Sequence, residues 1–202
     1  QGITNIVPAI SDPNCGGAGG GSLCPGSSNV FLIEANDVVI HDLTVDGDNT
    51  LLTSGTVAGG ADLDARNGII TNHTLGVYQN LEVYNVTVSN IYLRGMYASS
   101  GGTFNFHNNT VNNVQASASS IAMFNFGGSG LMTDNIVSDA NDGIASNWSK
   151  GTVYSGNTVS SSGSGIHTDN NGGSGGIADT IKNNTVQNSN LNGYGIWVFA
   201  PY

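Results

Sequence analysis

The feature that most constrains this chain is a short strand motif, Thr-Val or a close equivalent, which recurs six times. The residues that close these motifs are Val45, Val88, Val111, Val137, Val159 and Val186. They are 43, 23, 26, 22 and 27 residues apart, and the first interval is interpreted as two repeats with one insertion. A period of about 20–30 residues is typical of a solenoid, in which each repeat buries its apolar side against its neighbours.

The residues before each valine predict the shape of one coil. Five residues earlier lies an apolar lane that period-two alternation points inward, formed by Ile40, Val83, Phe106, Met132, Tyr154 and Ile181. Three and two residues before the valine, Asn, Asp and Gly predominate. These types tolerate the left-handed conformation of a tight corner, and stacked Asn side chains can hydrogen-bond along the axis. Most asparagines are therefore predicted to be corners, not ligands.

A second strand in each repeat opens on Gly and an apolar residue, as in Gly68-Ile69, Gly95-Met96, Gly143-Ile144, Gly165-Ile166 and Gly195-Ile196, with Ser120-Ile121 as a variant. We expect an all-β parallel β-helix of about seven coils of 22–27 residues over 29–202, with an insertion loop at 46–67. Residues 1–28 form a Gly-rich N-terminal segment in which a flexible spacer lets Cys15 and Cys24 form a disulfide.

Two stretches carry a resemblance to known proteins. Residues 38–47, Val-Val-Ile-His-Asp-Leu-Thr-Val-Asp-Gly, look like the repeat of the right-handed parallel β-helix of the pectate-lyase-like superfamily. The repeats from Arg66-Asn67-Gly68 to Gly195-Ile196-Trp197 are similar to β-helix segments inside large secreted bacterial surface proteins. The resemblance implies the architecture. The predicted last strand, Gly195-Ile196-Trp197-Val198-Phe199, would leave an exposed coil edge of the kind that natural solenoids cap, so we expect a mature product or a segment of something longer.

Charge excludes several classes of partner. The 202 residues carry a net charge of −10 with only four basic side chains. Nucleic acids and anionic membrane surfaces are bound through clustered Lys and Arg, so neither is expected as a partner. No apolar run is long enough for membrane insertion. Scarce Lys together with a disulfide predicts an extracellular or cell-surface protein.

The outward side of the Gly-Ile strands is the first candidate site, because its residues repeat least. One outward lane is expected to contain Ile70, Tyr97, Ala122, Ala145, His167 and Trp197, and the next Asn72, Ser99, Phe124, Asn147, Asp169 and Phe199. Possible catalytic residues there are Asp142, His167, Asp169 and Arg94. Two carboxylates about 5–9 Å apart can cleave a glycosidic bond. Tyr97, Trp148 and Trp197 would bind the substrate, yet both aspartates also fit ordinary turns.

The insertion loop is the second candidate site. It contains Asp46, Asp48, Asp62 and Asp64, and several carboxylates in one loop suit a hard cation such as Ca²⁺. The spacing does not match an EF-hand, and the alternative is a solvated acidic loop. Any calcium would be structural, and no cofactor is required.

Three hypotheses for function follow. The first is an extracellular solenoid that acts as a structural, adhesive or glycan-contacting module without catalysis, with a polysaccharide or a cell-surface glycan as its partner. The second is a polysaccharide lyase or glycoside hydrolase, although the Asp-Asp, Gly-His-Gly and Arg-Ile-Lys motifs of polygalacturonase-type enzymes are absent. The third is a filament or tailspike-like module that self-associates through its coil ends. The fold alone does not choose among them.

Overall fold

The structure is a computed structural model that describes residues 4–15, 21–160, 162–170, 177–187 and 193–199. The described residues form nineteen β-strands and no α-helix. Seventeen of the strands belong to one continuous parallel sheet that winds into a solenoid, which confirms the predicted all-β parallel fold. Strands of successive coils stack in register, and we call each such stack a column.

The Gly-Ile column contains the strands that open on Gly and an apolar residue, together with two strands in which Val30 and Ala122 stand at the Gly position. Its seven members are β2 (Asn29–Ile33), β6 (Ala65–Thr71), β8 (Ile91–Ala98), β11 (Ile121–Phe126), the latter part of β13 (Ile136–Ser149), β16 (Ser162–Asn170) and β19 (Tyr194–Phe199). This column matches the predicted number of about seven coils.

The Thr-Val column carries the repeated motif. It consists of β1 (Thr4–Ile6), the latter parts of β3 (Val39–Asp46) and β7 (Leu81–Ser89), β10 (Thr110–Val114), the first part of β13, β15 (Thr158–Ser160) and β18 (Thr185–Gln187). Val45 pairs directly with Val88, so the interval of 43 residues is one enlarged coil and the interpretation as two repeats is wrong. β1 extends this column, so part of the N-terminal segment belongs to the solenoid.

The third stack, the corner column, leads into the asparagine corners. It contains the first parts of β3 and β7, β9 (Thr103–His107), β12 (Ser129–Thr133), β14 (Val153–Ser155) and β17 (Thr180–Lys182). The two remaining strands, β4 (Val57–Ala58) and β5 (Ala61–Asp62), form an antiparallel hairpin in the insertion loop. The extra length of the first interval therefore lies in a side excursion and does not disturb the stacking.

The corners have the conformation that the sequence predicts. Each coil turns at a residue with φ between 53° and 70°, and these residues are Asp42, Asn85, Asn108, Asp134, Gly156 and Asn183. In four successive coils the residue after the turn is an asparagine. Its side-chain oxygen Oδ1 accepts a hydrogen bond from a backbone N–H of the preceding coil. Asn109 N donates to Asn135 Oδ1 at 3.0 Å, and Asn135 N donates to Asn157 Oδ1 at 3.1 Å. These buried amides satisfy backbone groups that water cannot reach.

The inside of the solenoid is apolar. Val45, Val88 and the valines that follow them as far as Val159 are fully buried, as are Phe106 and Tyr154 of the predicted inward lane. In the Gly-Ile column a Cβ on Gly95 would lie 2.4 Å from the carbonyl oxygen of Ala122, so the close approach of neighbouring coils requires glycine there. The same geometry identifies Ala122-Met123 as the fourth opening of this column, two residues later than the predicted Ser120-Ile121.

An N-terminal strap, which we define as residues 12–15 and 21–28, crosses the outside of the Gly-Ile column. Its described part contains the predicted disulfide between Cys15 and Cys24. Arg66 fixes the strap by donating to the carbonyl oxygens of Pro13, Gly21 and Ser22 at 2.8, 2.9 and 3.2 Å. Arg66 is almost fully buried, so these charge-assisted bonds take the place of its hydration.

Candidate functional site

The outward lane of the Gly-Ile column changes character along the solenoid. In register it contains Leu32, Ile70, Tyr97, Phe124, Ala145, His167 and Trp197. Phe124 therefore takes the place that the sequence pattern gave to Ala122, which is the consequence of the two-residue shift in the fourth opening. Leu32, the first member, is 42% exposed, the members from Ile70 to His167 are buried, and Trp197, the last, is again open to solvent.

The part of the lane from Ile70 to Ala145 lies under the strap. Leu23 packs against a buried cluster formed by Ile70, Tyr97, Ile121, Phe124 and Ala145. The ring of Tyr97 stacks on Phe124 with 4.6 Å between centroids, and only 5% of Tyr97 is exposed. Tyr97 was predicted to bind substrate, but a ring covered in this way presents no surface to a sugar. The structure places it in a second, smaller core.

Arg94 belongs to the same covered region. Its Nε donates to Ser22 Oγ of the strap at 3.1 Å, and its guanidinium lies 5.0 Å from the ring centroid of Phe124. Burial lowers the pKa of Arg94 to about 10, which leaves the side chain charged at neutral pH. Ile121 separates Arg94 from Asp142 in the register of the column. The structure therefore uses Arg94 to hold the strap and does not bring it against His167.

Asp142 and His167 do come together. Nδ1 of His167 lies 3.9 Å from Oδ2 of Asp142, which is longer than a hydrogen bond. His167 is 8% exposed, and burial lowers its pKa while the nearby Asp142 carboxylate opposes that shift. The Asp142 side chain is about a quarter exposed, at 23%. The pair thus joins a buried imidazole to a carboxylate that solvent can reach.

Asp169 stands apart from this pair. In register Asp142 pairs with Ser164, and Asp169 lies five residues further along the same strand, which corresponds to about 16 Å. Glycosidases place their two carboxyl groups about 5–9.5 Å apart, so the predicted Asp142–Asp169 pair does not have that spacing. Oδ1 of Asp169 instead accepts the Trp148 backbone N–H, and burial raises the pKa of this aspartate. Its role in the structure is to fix the bulge at Trp148.

Beyond the strap, exposed rings form what we call the aromatic patch: Phe126, Trp148, Tyr194 and Trp197. Their exposed fractions lie between 39% and 53%. Trp197 stacks on Tyr194 with 4.8 Å between ring centroids, and Phe126 stacks on Trp148 at 6.1 Å. Phe199, which contacts both Trp197 and His167, pairs in register with Asp169, and Asp169 binds the backbone of Trp148. The two ring pairs are thereby linked through one strand.

Sequence reasoning did not single out Phe126 and Tyr194 of the patch, nor Asp179, which supports it. Phe126 was overlooked because the shifted register placed Phe124 in its lane, and aligning Ala122 with the repeated glycines would have found it. Asp179 gave no signal, because it lies outside the repeated strands. Its Oδ1 accepts from Ser149 Oγ at 2.8 Å and from Thr152 N at 2.8 Å. These bonds hold the turn after Trp148, so Asp179 supports the patch without forming part of it.

The acidic insertion loop uses its carboxylates to close on itself. Asp46 accepts from Asp48 N at 3.1 Å, Asp64 accepts from Asn49 N at 3.0 Å, and Asp62 bonds to Ser54. Burial raises the pKa of Asp48. Throughout the described part of the chain, no group of three or more His, Cys, Asp or Glu side chains is placed to hold a metal ion. Calcium at the four aspartates stays a prediction from the sequence.

A second set of rings lies on the corner column. His41, Tyr84 and His107 stack with centroids 4.9 and 5.1 Å apart and planes within 9° of parallel. Stacking covers both faces of the Tyr84 ring, so this ladder of three rings presents ring edges to solvent. The rings of the aromatic patch present larger exposed surfaces. We take the ladder as part of the coil stacking.

Comparison with known proteins does not assign this chain to a family. No protein-family model, no curated protein and no solved structure matches the chain. Within the described residues, no helix is both long and apolar enough to cross a membrane. Function must therefore be argued from the site itself.

Proposed function

We propose that this protein is an extracellular β-solenoid module that binds a neutral glycan on the aromatic patch and carries out no chemistry of its own. The observation that carries the proposal is the group of partly exposed rings at Trp148, Tyr194 and Trp197, on a face whose earlier rings are buried. Large aromatic side chains that remain half-exposed on a rigid sheet are characteristic of binding surfaces. The Cys15–Cys24 disulfide supports an oxidising, extracellular setting.

The charge distribution supports a neutral ligand over an anionic one. The chain has a net charge of −10, and two of its four basic residues, Arg66 and Arg94, are engaged by the strap. Asp142 also lies beside the patch through its contact with His167. An anionic polymer would be repelled from such a surface, whereas a neutral polysaccharide would not.

The spacing of the carboxylates supports binding without cleavage. The candidate acids Asp142 and Asp169 lie about 16 Å apart along the strand, beyond the range that glycosidic cleavage uses. Arg94 is held under the strap by Ser22 and does not lie against the pair. The patch therefore lacks the arrangement of acid and base that the enzyme hypothesis requires.

The proposal is tested by retention on insoluble or immobilised polysaccharides: cellulose, chitin, xylan and mannan as neutral ligands and polygalacturonate as an anionic one. We expect retention on a neutral polysaccharide and no new chain ends. Trp197→Ala should weaken retention about tenfold or more, because aromatic anchors dominate such interfaces. Tyr84→Ala removes a ring from the corner column and is the matched control. Absence of retention on every neutral polysaccharide, or the appearance of new chain ends, would overturn the proposal.

A further inference from the structure

The outward side of the Thr-Val column repeats one residue type from coil to coil, and we call it the threonine face. Its first lane contains, in register, Thr44, Thr87, Thr110, Ile136, Thr158 and Thr185. Its second lane, two residues further along each strand, contains Asp46, Ser89, Asn112, Ser138, Ser160 and Gln187. Hydroxyl and amide groups therefore cover this face, and Asp46 is the one charged member of the two lanes.

Strand formation alone does not account for these threonines. A β-strand accepts any β-branched or aromatic residue, and the other outward lanes of this molecule are mixed. The outward lane of the corner column contains, in register, His41, Tyr84, His107, Thr133, Ser155 and Lys182. On the threonine face, five of the six positions in the first lane hold the same residue. A surface that repeats in this way fits a ligand that also repeats.

The hydroxyl groups of the first lane are within reach of solvent. Each of its threonines is half-buried or exposed, and none of their hydroxyls bonds to another residue that the structure describes. An open cavity of about 190 Å³ is lined by Thr44 and Thr87 together with Asp42, Leu43 and Asn85. Water therefore has room beside the hydroxyls at the start of the lane.

The spacing of the lane matches that of an ordered water network. Stacked strands lie about 4.8 Å apart, so equivalent atoms of successive threonines repeat at about that distance. Two oxygens that bond to one water at the tetrahedral angle lie about 4.8 Å apart when each bond is about 2.9 Å long, inside the ordinary range of roughly 2.5–3.0 Å. Ice is such a tetrahedral network, so a row of these hydroxyls can replace a row of its waters.

The lane also keeps its register. The described strand pairs of the Thr-Val column show no register shift, whereas the Gly-Ile column has one at two of its pairings. Equivalent hydroxyls therefore follow one another in a straight row along the axis. Ile136, which is 53% exposed, is the one member of the row without a hydroxyl.

We propose that the threonine face binds the surface of ice, with the threonine hydroxyls in the place of lattice waters. The neutral first lane fits this ligand, because a charged side chain would hold its own hydration shell against the crystal. The threonine methyl groups add apolar contact beside each hydroxyl. This activity does not depend on the proposed function, because the threonine face and the aromatic patch lie on different columns.

The experiment measures the difference between the melting and freezing temperatures of a single ice crystal in a solution of the protein. We expect the wild type to open such a gap and to give the crystal facets. Thr87→Tyr should lose most of the gap, because a ring protruding between Thr44 and Thr110 holds the face away from the crystal. Thr133→Tyr makes the same exchange at a half-buried outward position of the corner column and is the matched control.

Ile136→Thr tests the proposal by a gain of activity, which a folding defect cannot imitate. The substitution completes the row of hydroxyls from Thr44 to Thr185, so the gap should widen. Because Ile136 is largely open to solvent, its replacement should change stability little. A role of the threonines in strand stacking alone predicts no gap in either protein.

The proposal is overturned if the wild type opens no gap. It is also overturned if Thr87→Tyr and Thr133→Tyr, both shown to be folded by thermal melts, reduce the gap equally, or if Ile136→Thr fails to widen it. If only Thr87→Tyr loses retention on crystalline cellulose and no protein opens a gap, the face binds a polysaccharide and the assignment to ice is wrong. Trp197→Ala should leave the gap unchanged, which separates this activity from glycan binding on the aromatic patch.

Discussion

Beyond Leu32, the outward Gly-Ile lane has a covered end, from Ile70 to Ala145, and an open end at Trp197, and the two have similar residues and opposite environments. Tyr97 and Phe124 are almost fully buried, whereas Trp197, which occupies the same lane, is 40% exposed. The difference comes from the strap, because Leu23 packs on the cluster that contains Tyr97 and Phe124. An aromatic residue on the outside of a solenoid is thus core or surface according to what crosses it. The position of the residue in the repeat does not determine whether its side chain is buried or exposed.

The covered end of the lane also engages two of the four basic side chains of the chain. Arg66 donates to three strap carbonyls, and Arg94 reaches Ser22 while its guanidinium lies over Phe124. Both arginines therefore stabilise the covered end of the lane. Towards the open end lie His167 and Asp142, whose Nδ1 and Oδ2 atoms are 3.9 Å apart.

The largest expected effect distinguishes the two ends directly. Phe124→Ala should lower the free energy of unfolding by about 3–5 kcal/mol, because it removes a buried ring and leaves a cavity. Trp197→Ala should cost about 1 kcal/mol or less, because much of its ring already contacts water. Urea unfolding of the two variants measures both values. Equal losses would show that the two ends do not differ as their exposure indicates.

The next effect concerns what holds the strap. Arg66→Ala should lower the free energy of unfolding by about 2–3 kcal/mol, because three carbonyl groups, those of the buried Pro13 and Ser22 and of the exposed Gly21, lose a charged donor. It should also make the strap more sensitive to limited proteolysis. Lys182→Ala, which removes an exposed cation, is the control. A strap that stays protected in Arg66→Ala would show that the disulfide and Leu23 suffice to keep the lane covered.

The smallest effect lies at the boundary between the two ends. Burial lowers the pKa of His167 below its value in the unfolded chain, so the unfolded state takes up this proton first as the pH falls. Stability should therefore decrease as the pH drops below about 6.5, by at most about 1.4 kcal/mol per pH unit from this residue. His167→Gln should remove that part of the dependence in thermal melts between pH 7.5 and pH 5. His73, whose pKa burial also lowers, is unchanged in the variant.

Much of the fold could be predicted because each coil repeats the same local chemistry. The left-handed corners at Asn85 and Asn108 and the inward lane through Phe106 follow from residue type and period-two alternation. The register failed at Ala122 because alanine replaces the glycine that marks the neighbouring openings at Gly95 and Gly143. One such substitution moved Phe124 into the wrong lane and hid Phe126.

The candidate site was predicted less well because it depends on parts of the chain that do not repeat. The sequence could place Asp142, His167 and Trp197 on one outward face, and the structure does bring Asp142 close to His167. It could not show that Asp169 lies about 16 Å away along the strand, since turn residues fit several registers. Nor could it show that Arg94 and Tyr97 lie beneath the strap.

The sequence by itself determined the solenoid fold. The period, the corner residues and the inward apolar lanes are local properties that recur in every coil. Only the tertiary structure decided which outward residues are available to a partner. Arg66 bonds to Pro13 across 53 residues of sequence, and contacts of that range leave no periodic trace. The covered rings of the early coils and the open rings around Trp197 differ for that reason.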